Sequence, residues 1–148
     1  MQAHSDRICA VQFSSDDKAA SCSFDQTAKI WNQAGRLVTV LEGHADFVCC
    51  VCFSPSNKLV ATCSNDKTLR IWLPEDGQPV QTLKHTKSVN HACVSPDGQT
   101  IVSCAADGTV KTWDLETSLP LQNLIGHKEN VVNAKYSHDG SLIMSCAG

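Results

Sequence analysis

The stretch Asn65-Asp-Lys-Thr-Leu-Arg-Ile-Trp72 occurs in three related forms along the chain, and its spacing sets the architecture. The Asp recurs as Asp25, Asp66 and Asp107, and the Trp recurs as Trp31, Trp72 and Trp113, in both cases at steps of 41 residues. Two other residue types follow nearly the same period, namely His4, His44, His85 and His127, and Cys22, Cys63, Cys104 and Cys146. Four residue types with one shared period indicate an array of about three and a half similar units.

Each unit reads as four short strands separated by turn residues. In the second unit, apolar or alternating segments at 47–53, 58–64, 68–73 and 79–83 are separated by turn-forming residues such as Ser54-Pro-Ser-Asn57. Pro79 fits the start of an edge strand, because proline cannot donate a hydrogen bond to a neighbouring strand. No segment has a sustained helical period of apolar residues, so we expect an all-β fold with almost no helix.

Composition narrows the class of protein and of partner. The chain has 148 residues, 42% of them hydrophobic and 18% charged, which is a globular composition. The net charge of −3 gives no basic surface for nucleic acid or an anionic membrane, and no apolar run approaches the roughly 20 residues of a membrane span. Nine cysteines without a secretory signal favour a reduced protein in the cytoplasm, with the nucleus as an alternative.

The repeated motifs resemble the WD40 repeat family. The dipeptides Gly43-His44, Gly126-His127 and Trp113-Asp114 match its signature, whereas Asn32 and Leu73 follow the first two tryptophans. The resemblance covers the chain from His4 onward. It implies four-stranded antiparallel blades of a β-propeller, with residues 1–148 as a partial propeller and repeats at about 4–43, 44–84, 85–126 and a truncated 127–148.

Three and a half blades cannot close into a ring. Propellers bury the faces of their blades by closing on themselves, usually with 4–8 blades. We therefore expect the remaining blades to come from a longer chain or from another copy, and the outer faces of the first and last blades to be apolar and exposed. A truncated fragment without independent function is the alternative.

The most conspicuous candidate site is a set of His, Ser or Thr, Asp and Trp in each unit. One interpretation is a Ser-His-Asp catalytic triad. The resemblance implies instead a buried hydrogen-bond chain from the Trp N–H through the hydroxyl to His and Asp, and repetition in every unit favours this structural role, with no enzyme activity and no cofactor. The set comprises His4, Ser21, Asp25 and Trp31; His44, Thr62, Asp66 and Trp72; His85, Ser103, Asp107 and Trp113; and His127 with Ser145.

The cysteines allow a zinc site or simple packing. Cys49, Cys50 and Cys52 are close in sequence, but neighbouring residues of a strand point to opposite faces, whereas zinc ligands usually come in pairs from turns. The four periodic cysteines hold one register in successive second strands, where a small apolar side chain packs well. We therefore expect packing and no metal, and we expect His91 and His138, which fall outside the repeat, to be ordinary solvated or half-buried residues.

The expected function is protein interaction. WD40 propellers serve mostly as platforms for proteins or peptides, and their usual contact surface is the top, around the central channel. Carried over to this sequence, the candidate partner-binding positions are Phe24, Asn65 and Ala106 before the turn aspartates, and Cys9, Cys49, Asn90 and Val132 in the first strands. Phe24 is either an aromatic anchor for a partner or packs on the next loop.

A second resemblance is more specific. Residues 86–93, Cys49-Cys50 and residues 61–67 are similar to the propellers of apoptotic protease-activating factor and related signalling NTPases. In those proteins, propellers follow a nucleotide-binding module and hold it inactive. This resemblance implies an alternative function as a regulatory, ligand-sensing segment of an apoptosis-type ATPase.

Overall fold

The computed structural model describes residues 3–148, and it contains fourteen β-strands and no helix in that part of the chain. The strands form three four-stranded antiparallel sheets and one two-stranded sheet, each in chain order, which we number as blades 1 to 4. Blade 1 has β1 (Ile8–Phe13), β2 (Ala19–Ser23), β3 (Ala28–Trp31) and β4 (Leu37–Leu41); blade 2 has β5 (Val48–Phe53), β6 (Val60–Ser64), β7 (Thr68–Trp72) and β8 (Pro79–Lys84). Blade 3 has β9 (Val89–Val94), β10 (Thr100–Ala105), β11 (Val110–Asp114) and β12 (Pro120–Leu124); blade 4 has β13 (Val131–Tyr136) and β14 (Ile143–Ala147).

The architecture confirms the all-β prediction of about three and a half blades. The strands of the second unit begin and end within two residues of the predicted segments. Pro79 and Pro120 begin the outermost strands of their blades, where a missing N–H breaks no ladder. Within residues 3–148, no helix has the length and hydropathy needed to cross a bilayer.

Three hydrophobic cores lie between successive blades. The core between blades 1 and 2 includes Ile30 and Trp72, the core between blades 2 and 3 includes Leu69 and Ile101, and the core between blades 3 and 4 includes Val102. All five side chains are completely or almost completely buried. Since burial of one such side chain stabilises a fold by about 1.5–3 kcal/mol, blade-on-blade packing is the main source of stability.

The two ends of the array expose apolar surface, as expected for an open propeller. Gln12 on β1 faces blade 2, where its Oε1 accepts a hydrogen bond from the Phe53 N–H. The alternate residues of β1, Val11 and Phe13, point the other way, and Phe13 is 76% exposed. At the opposite end, Met144 on β14 is 79% exposed.

The turn between the second and third strands takes the same backbone shape in blades 1, 2 and 3. Its residue after the Asp has a positive φ, at Gln26 (69°), Lys67 (71°) and Gly108 (81°). At the third site, a Cβ would lie only 3.0 Å from the His127 carbonyl oxygen, so blade 4 can approach this turn closely only because the residue is glycine.

Candidate functional site

The second blade contains a complete hydrogen-bonded tetrad. His44 Nδ1 lies 2.8 Å from Asp66 Oδ2, and its Nε2 lies 2.7 Å from Thr62 Oγ1. Trp72 Nε1–H donates to the same hydroxyl oxygen over 2.7 Å. Because an ionised carboxylate only accepts, His44 carries its hydrogen on Nδ1, and the Thr62 hydroxyl donates to Nε2. The chain of donors therefore runs from indole to hydroxyl to imidazole to carboxylate.

The first blade repeats this tetrad with a serine. His4 joins Asp25 Oδ2 and Ser21 Oγ, both over 2.8 Å, and Trp31 Nε1–H donates to Ser21 Oγ over 2.9 Å. The backbone N–H of Ser5 also donates to Asp25 Oδ2 over 3.0 Å. Each complete tetrad thus joins the segment before the first strand to the second strand, the following turn and the third strand.

The turn carboxylates are held in the ionised form. Burial raises the pKa of Asp66, but hydrogen bonds from Thr68, His44 and the Ala45 N–H outweigh this effect and bring the pKa to about 2. Burial lowers the pKa of His44, and the hydrogen bond to Asp66 offsets this only in part. The pair therefore consists of a neutral imidazole and a carboxylate at neutral pH.

The third blade departs from the tetrad expected from the sequence. His85 Nε2 contacts Ser103 Oγ over 2.8 Å and Trp113 Nε1–H donates to the same oxygen, but no hydrogen bond joins His85 to Asp107. The Thr86 hydroxyl donates to Asp107 Oδ2 instead and occupies the place that the imidazole takes in blades 1 and 2.

The loss of this contact changes the electrostatics of the third imidazole. Burial and the nearby Lys111 charge bring the pKa of His85 down to about 4, and the field of Asp107 does not compensate. In the fourth unit, His127 Nε2 contacts Ser145 Oγ over 2.8 Å, which gives the first link of the same arrangement.

The tetrad hydroxyls are unsuited to nucleophilic attack. Ser21, Thr62 and Ser103 are buried, and each oxygen already accepts an indole N–H. A catalytic nucleophile must reach a substrate beside a pocket. The geometry favours a bracing role over the triad interpretation.

The cysteines lie mainly between the blades. Cys22, Cys63 and Cys104 are completely buried in the three successive cores, in the shared register that the sequence indicated, and burial raises the pKa of Cys104 to about 12. Cys146 holds the equivalent register on β14 but is exposed, because blade 4 is the last blade of the described residues and nothing among them covers its outer face. In the described part of the chain, no group of three or more His, Cys, Asp or Glu side chains is placed to hold a metal ion.

The histidines outside the repeat have different surroundings. His91 is half-buried on β9, and its Nδ1–H donates to the Ala134 carbonyl on β13 over 3.0 Å. It therefore joins blade 3 to blade 4. His138 lies exposed in the turn between β13 and β14.

The edge of the blades that carries the candidate partner-binding residues has a regular backbone. We call it the top face: it holds the residues before each turn Asp and the segments that lead into the first strands. The Phe24 N–H donates to the Arg7 carbonyl over 2.9 Å, and the Asn65 N–H donates to the Phe47 carbonyl over 3.0 Å. The Ala106 N–H repeats this bond in blade 3. The top face therefore has equivalent positions in each blade, where sequence differences create local surfaces.

Two of the first-strand candidates have structural contacts with the next blade. The thiol of Cys49 donates to the Val89 carbonyl over 3.0 Å, and Asn90 Nδ2 donates to the Val131 carbonyl over 2.7 Å. These side chains are half-buried in inter-blade contacts, so they are poorer partner-binding candidates than the sequence indicated. Cys9 is also half-buried, whereas Val132 is exposed.

Phe24 is part of an aromatic stack that joins two blades. The centroids of the Phe24 and Phe47 rings lie 4.2 Å apart, with an angle of 9° between the ring planes. Arg7 places its guanidinium carbon 5.6 Å from the Phe24 centroid. Phe24 thus packs on the next blade, yet it remains half-exposed, and Phe47 is 37% exposed. The equivalent junction of blades 2 and 3 is polar and brings the Ser88 hydroxyl within 3.4 Å of the Asn65 carbonyl oxygen.

The sequence interpretation missed Phe47 because it assigned this residue to an apolar first strand. The strand begins one residue later, at Val48, and Phe47 remains on the top face. The sequence did contain a sign of this exposed position. Phe47 is the third residue after the repeat histidine, and the other units have a polar residue there, namely Arg7, Ser88 or Asn130. An aromatic residue at a position that is otherwise polar indicates a surface role.

Comparison with known families agrees with the geometry. The family described as WD domain, G-beta repeat matches this chain four times, over residues 1–32, 35–72, 77–114 and 118–148. These matches cover most of the sequence. The chain therefore belongs to the WD40 family.

Proposed function

We propose that this chain is a non-catalytic protein-interaction scaffold that binds a protein or peptide partner at the top face, at the junction of blades 1 and 2. WD40 repeat domains generally act as scaffolds for protein–protein interaction and are generally non-catalytic. The scaffold role is also consistent with the tetrads, whose hydroxyls are buried and occupied.

The observation that carries this proposal is the exposed stack of Phe24 on Phe47. Partly exposed aromatic rings on a rigid backbone are typical anchors for a partner, since they bury a large apolar area at little cost in conformational entropy. The two phenylalanines are already fixed against each other, with Arg7 beside the first ring. A partner would add an apolar side chain against the exposed part of Phe47 and a polar rim around it.

Affinity capture with a matched pair of variants tests this proposal. Tagged wild type, Phe47→Ala and Val80→Ala are compared by quantitative mass spectrometry of the proteins they retain from cell extract. Val80 is an exposed apolar residue on the outer strand of blade 2 and serves as the control. We expect a defined set of proteins to lose about tenfold or more with Phe47→Ala and to be retained with Val80→Ala, since an anchor residue is worth about 2 kcal/mol or more. Equal retention by all three proteins contradicts the proposal, provided that thermal unfolding shows the variants to be folded.

The open blade faces support a proposal about assembly. Phe13 and Met144 expose apolar surface at opposite ends of the array, and such surface favours association. We propose that the remaining blades of the ring are supplied by a longer chain or by another copy. Light scattering separates these sources: the mass of two chains supports a second copy, and the mass of one chain at all concentrations contradicts it. A chain that aggregates without a defined mass supports the truncated-fragment alternative.

A second candidate function is the regulatory segment of an apoptosis-type ATPase. It rests on the resemblance of residues 86–93, Cys49-Cys50 and residues 61–67 to the propellers of such proteins. This role predicts that the chain binds a nucleotide-binding oligomerisation module and slows its assembly. Unchanged assembly of such a module in the presence of the chain contradicts it.

A further inference from the structure

Blade 2 carries a cluster of positive charge that the scaffold role does not use. Lys67, Arg70 and Lys84 converge on a concavity of about 620 Å³. Its other lining residues include Asp66 and Thr82. We call the three cationic residues and this concavity the blade 2 cation site.

These three side chains have no carboxylate partner among residues 3–148. The ion pairs in that part of the chain are His4–Asp25, Lys18–Asp16 and His44–Asp66, within 4.0 Å. Asp66 lines the concavity, but its oxygens already accept hydrogen bonds from His44, Ala45 and Thr68. An ionised carboxylate keeps its charge when it accepts hydrogen bonds, so Asp66 offsets one of the three positive charges and leaves the described site with a formal charge of +2.

Arg70 is held firmly and one of its donors is unsatisfied. Its guanidinium carbon lies 5.9 Å from the centroid of the Trp72 ring. On another side it packs on the backbone of Gly43, where an added Cβ would lie 2.9 Å from Nη1. Its Nε is buried without a hydrogen-bond partner. Because this Nε is buried, it is not available to a ligand from outside, and Arg70 contributes to the concavity through the charge of the rest of its guanidinium group.

The equivalent positions of blades 1 and 3 show that the charge belongs to blade 2 alone. Lys67, Arg70 and Lys84 correspond to Gln26, Lys29 and Glu42 in blade 1, and to Gly108, Lys111 and Ile125 in blade 3. The formal charges of these three positions are +3 in blade 2, 0 in blade 1 and +1 in blade 3, and the turn aspartates Asp66, Asp25 and Asp107 reduce them to +2, −1 and 0.

The corresponding lysine of blade 1 is also satisfied within the chain. Lys29 Nζ donates to the Ala3 carbonyl oxygen over 2.7 Å. Since the three blades share one backbone, the difference arises from the side chains and not from the fold.

We propose that the blade 2 cation site binds a phosphoryl group. A phosphoryl dianion carries about −1.5 to −2 charge and three strong acceptor oxygens, which suits three converging cations better than a single carboxylate does. Arg70 offers a planar fork of donors, and Lys67 and Lys84 are mobile point charges at the exposed rim. The group reaches the site either on a phosphorylated protein side chain or as free phosphate.

Chemical-shift titration of the ¹⁵N-labelled chain tests this proposal. The probes are inorganic phosphate, a capped Gly-Gly-phosphoserine-Gly-Gly peptide and the same peptide without phosphate. The double variant, Lys67→Gln with Lys84→Gln, removes two lysine charges at exposed positions of the site, and the control variant, Lys58→Gln with Lys128→Gln, removes two exposed lysine charges elsewhere. We expect saturable shifts centred on Lys67, Arg70 and Lys84, and binding about tenfold weaker in the double variant, because each partly exposed ion pair is worth a few-fold in affinity.

Comparison of the three probes shows whether the bound group is protein-borne or free phosphate, and it also shows whether the proposal fails. Tighter binding of the phosphopeptide than of phosphate supports a protein-borne group, and equal or tighter binding of phosphate supports the free ion. The absence of saturable shifts at these residues with either probe overturns the proposal. Equal weakening by the control variant and by the double variant also overturns it, since both remove two lysine charges and equal weakening would be the response of overall charge and not of a site.

Discussion

Replacement of Asp66 by alanine tests how strongly a tetrad braces its blade. The carboxylate accepts from His44 Nδ1–H, from the backbone N–H groups of Ala45 and Thr68, and from the Thr68 hydroxyl. The His44 side chain is fully buried, and the Asp66 side chain is only 8% exposed. Removal of the acceptor therefore leaves a buried imidazole donor without a partner and loosens the turn between β6 and β7.

The expected cost follows from these contacts. An unsatisfied buried donor costs about 1–3 kcal/mol, and the half-exposed turn donors add about 1 kcal/mol because water can replace the carboxylate there. We expect Asp66→Ala to lower the free energy of unfolding by about 2–4 kcal/mol. For a domain of this size, each 1 kcal/mol shifts the melting temperature by about 4 °C, so the midpoint falls by about 8–16 °C.

Asp107→Ala is the matched control. Asp107 occupies the same turn in blade 3 but makes no hydrogen bond to His85, so its removal leaves no imidazole donor unsatisfied. Urea unfolding followed by tryptophan fluorescence measures both variants. We expect Asp107→Ala to cost about 1–2 kcal/mol less than Asp66→Ala. Equal costs, or an unchanged midpoint for Asp66→Ala, would refute the bracing role of the His44–Asp66 contact.

The pH dependence of the free energy of unfolding is a second test of the contact between His44 and Asp66. The folded pKa of Asp66, about 2, lies below its ordinary value of about 3.9. A lowered carboxylate pKa stabilises the fold above the ordinary pKa and loses that contribution as the pH falls through the folded pKa. The stability difference between wild type and Asp66→Ala therefore narrows as the pH falls from about 4 to about 2.

Three further outcomes follow from the structure. In Gly108→Ala, the new Cβ would lie 3.0 Å from a backbone carbonyl oxygen, whereas Gly98 has a similar φ in open space. We therefore expect Gly108→Ala to lower the free energy of unfolding in urea by about 2 kcal/mol more than Gly98→Ala does. Equal costs would contradict the close approach of blade 4. Thr86→Val frees the turn carboxylate of blade 3, so we expect NMR titration to show the pKa of His85 rise above about 4, and an unchanged pKa would mean that the hydroxyl is not the competitor. Cys146 should react with a thiol reagent in the native protein, whereas the three buried cysteines of the same register should require denaturant; simultaneous modification would contradict the burial of the cores.

Much of the fold follows from the sequence because the periodic residues have fixed places in it. In each of the first three units, the Asp lies in the turn after the second strand and the Trp is the last or second-last residue of the third strand, so a constant spacing of 41 residues requires a constant blade. The apolar alternation then indicates which faces pack. In this way the sequence predicts the number of strands, their order and the shared register of the second-strand cysteines.

The details of the candidate site depend on distances that the pattern does not contain. Thr86 follows the repeat histidine of blade 3, at the position that Ser5 and Ala45 hold in blades 1 and 2. Its hydroxyl, and not the His85 imidazole, donates to Asp107. The stack of Phe24 on Phe47 joins residues of different blades, so it depends on how the blades pack against each other. A single sequence does not determine such inter-blade geometry to within an ångström.

The most direct test of the bracing role is a ¹⁵N NMR measurement of the tetrad protons in the native protein. We predict slowly exchanging Nδ1–H signals for His4 and His44, which donate to Asp25 and Asp66, and a protected indole N–H for Trp72. We predict no such Nδ1–H contact to carboxylate for His85. Rapid exchange at His4 and His44 would show these side chains to be open to solvent, and the tetrads could then not be the internal braces of the blades.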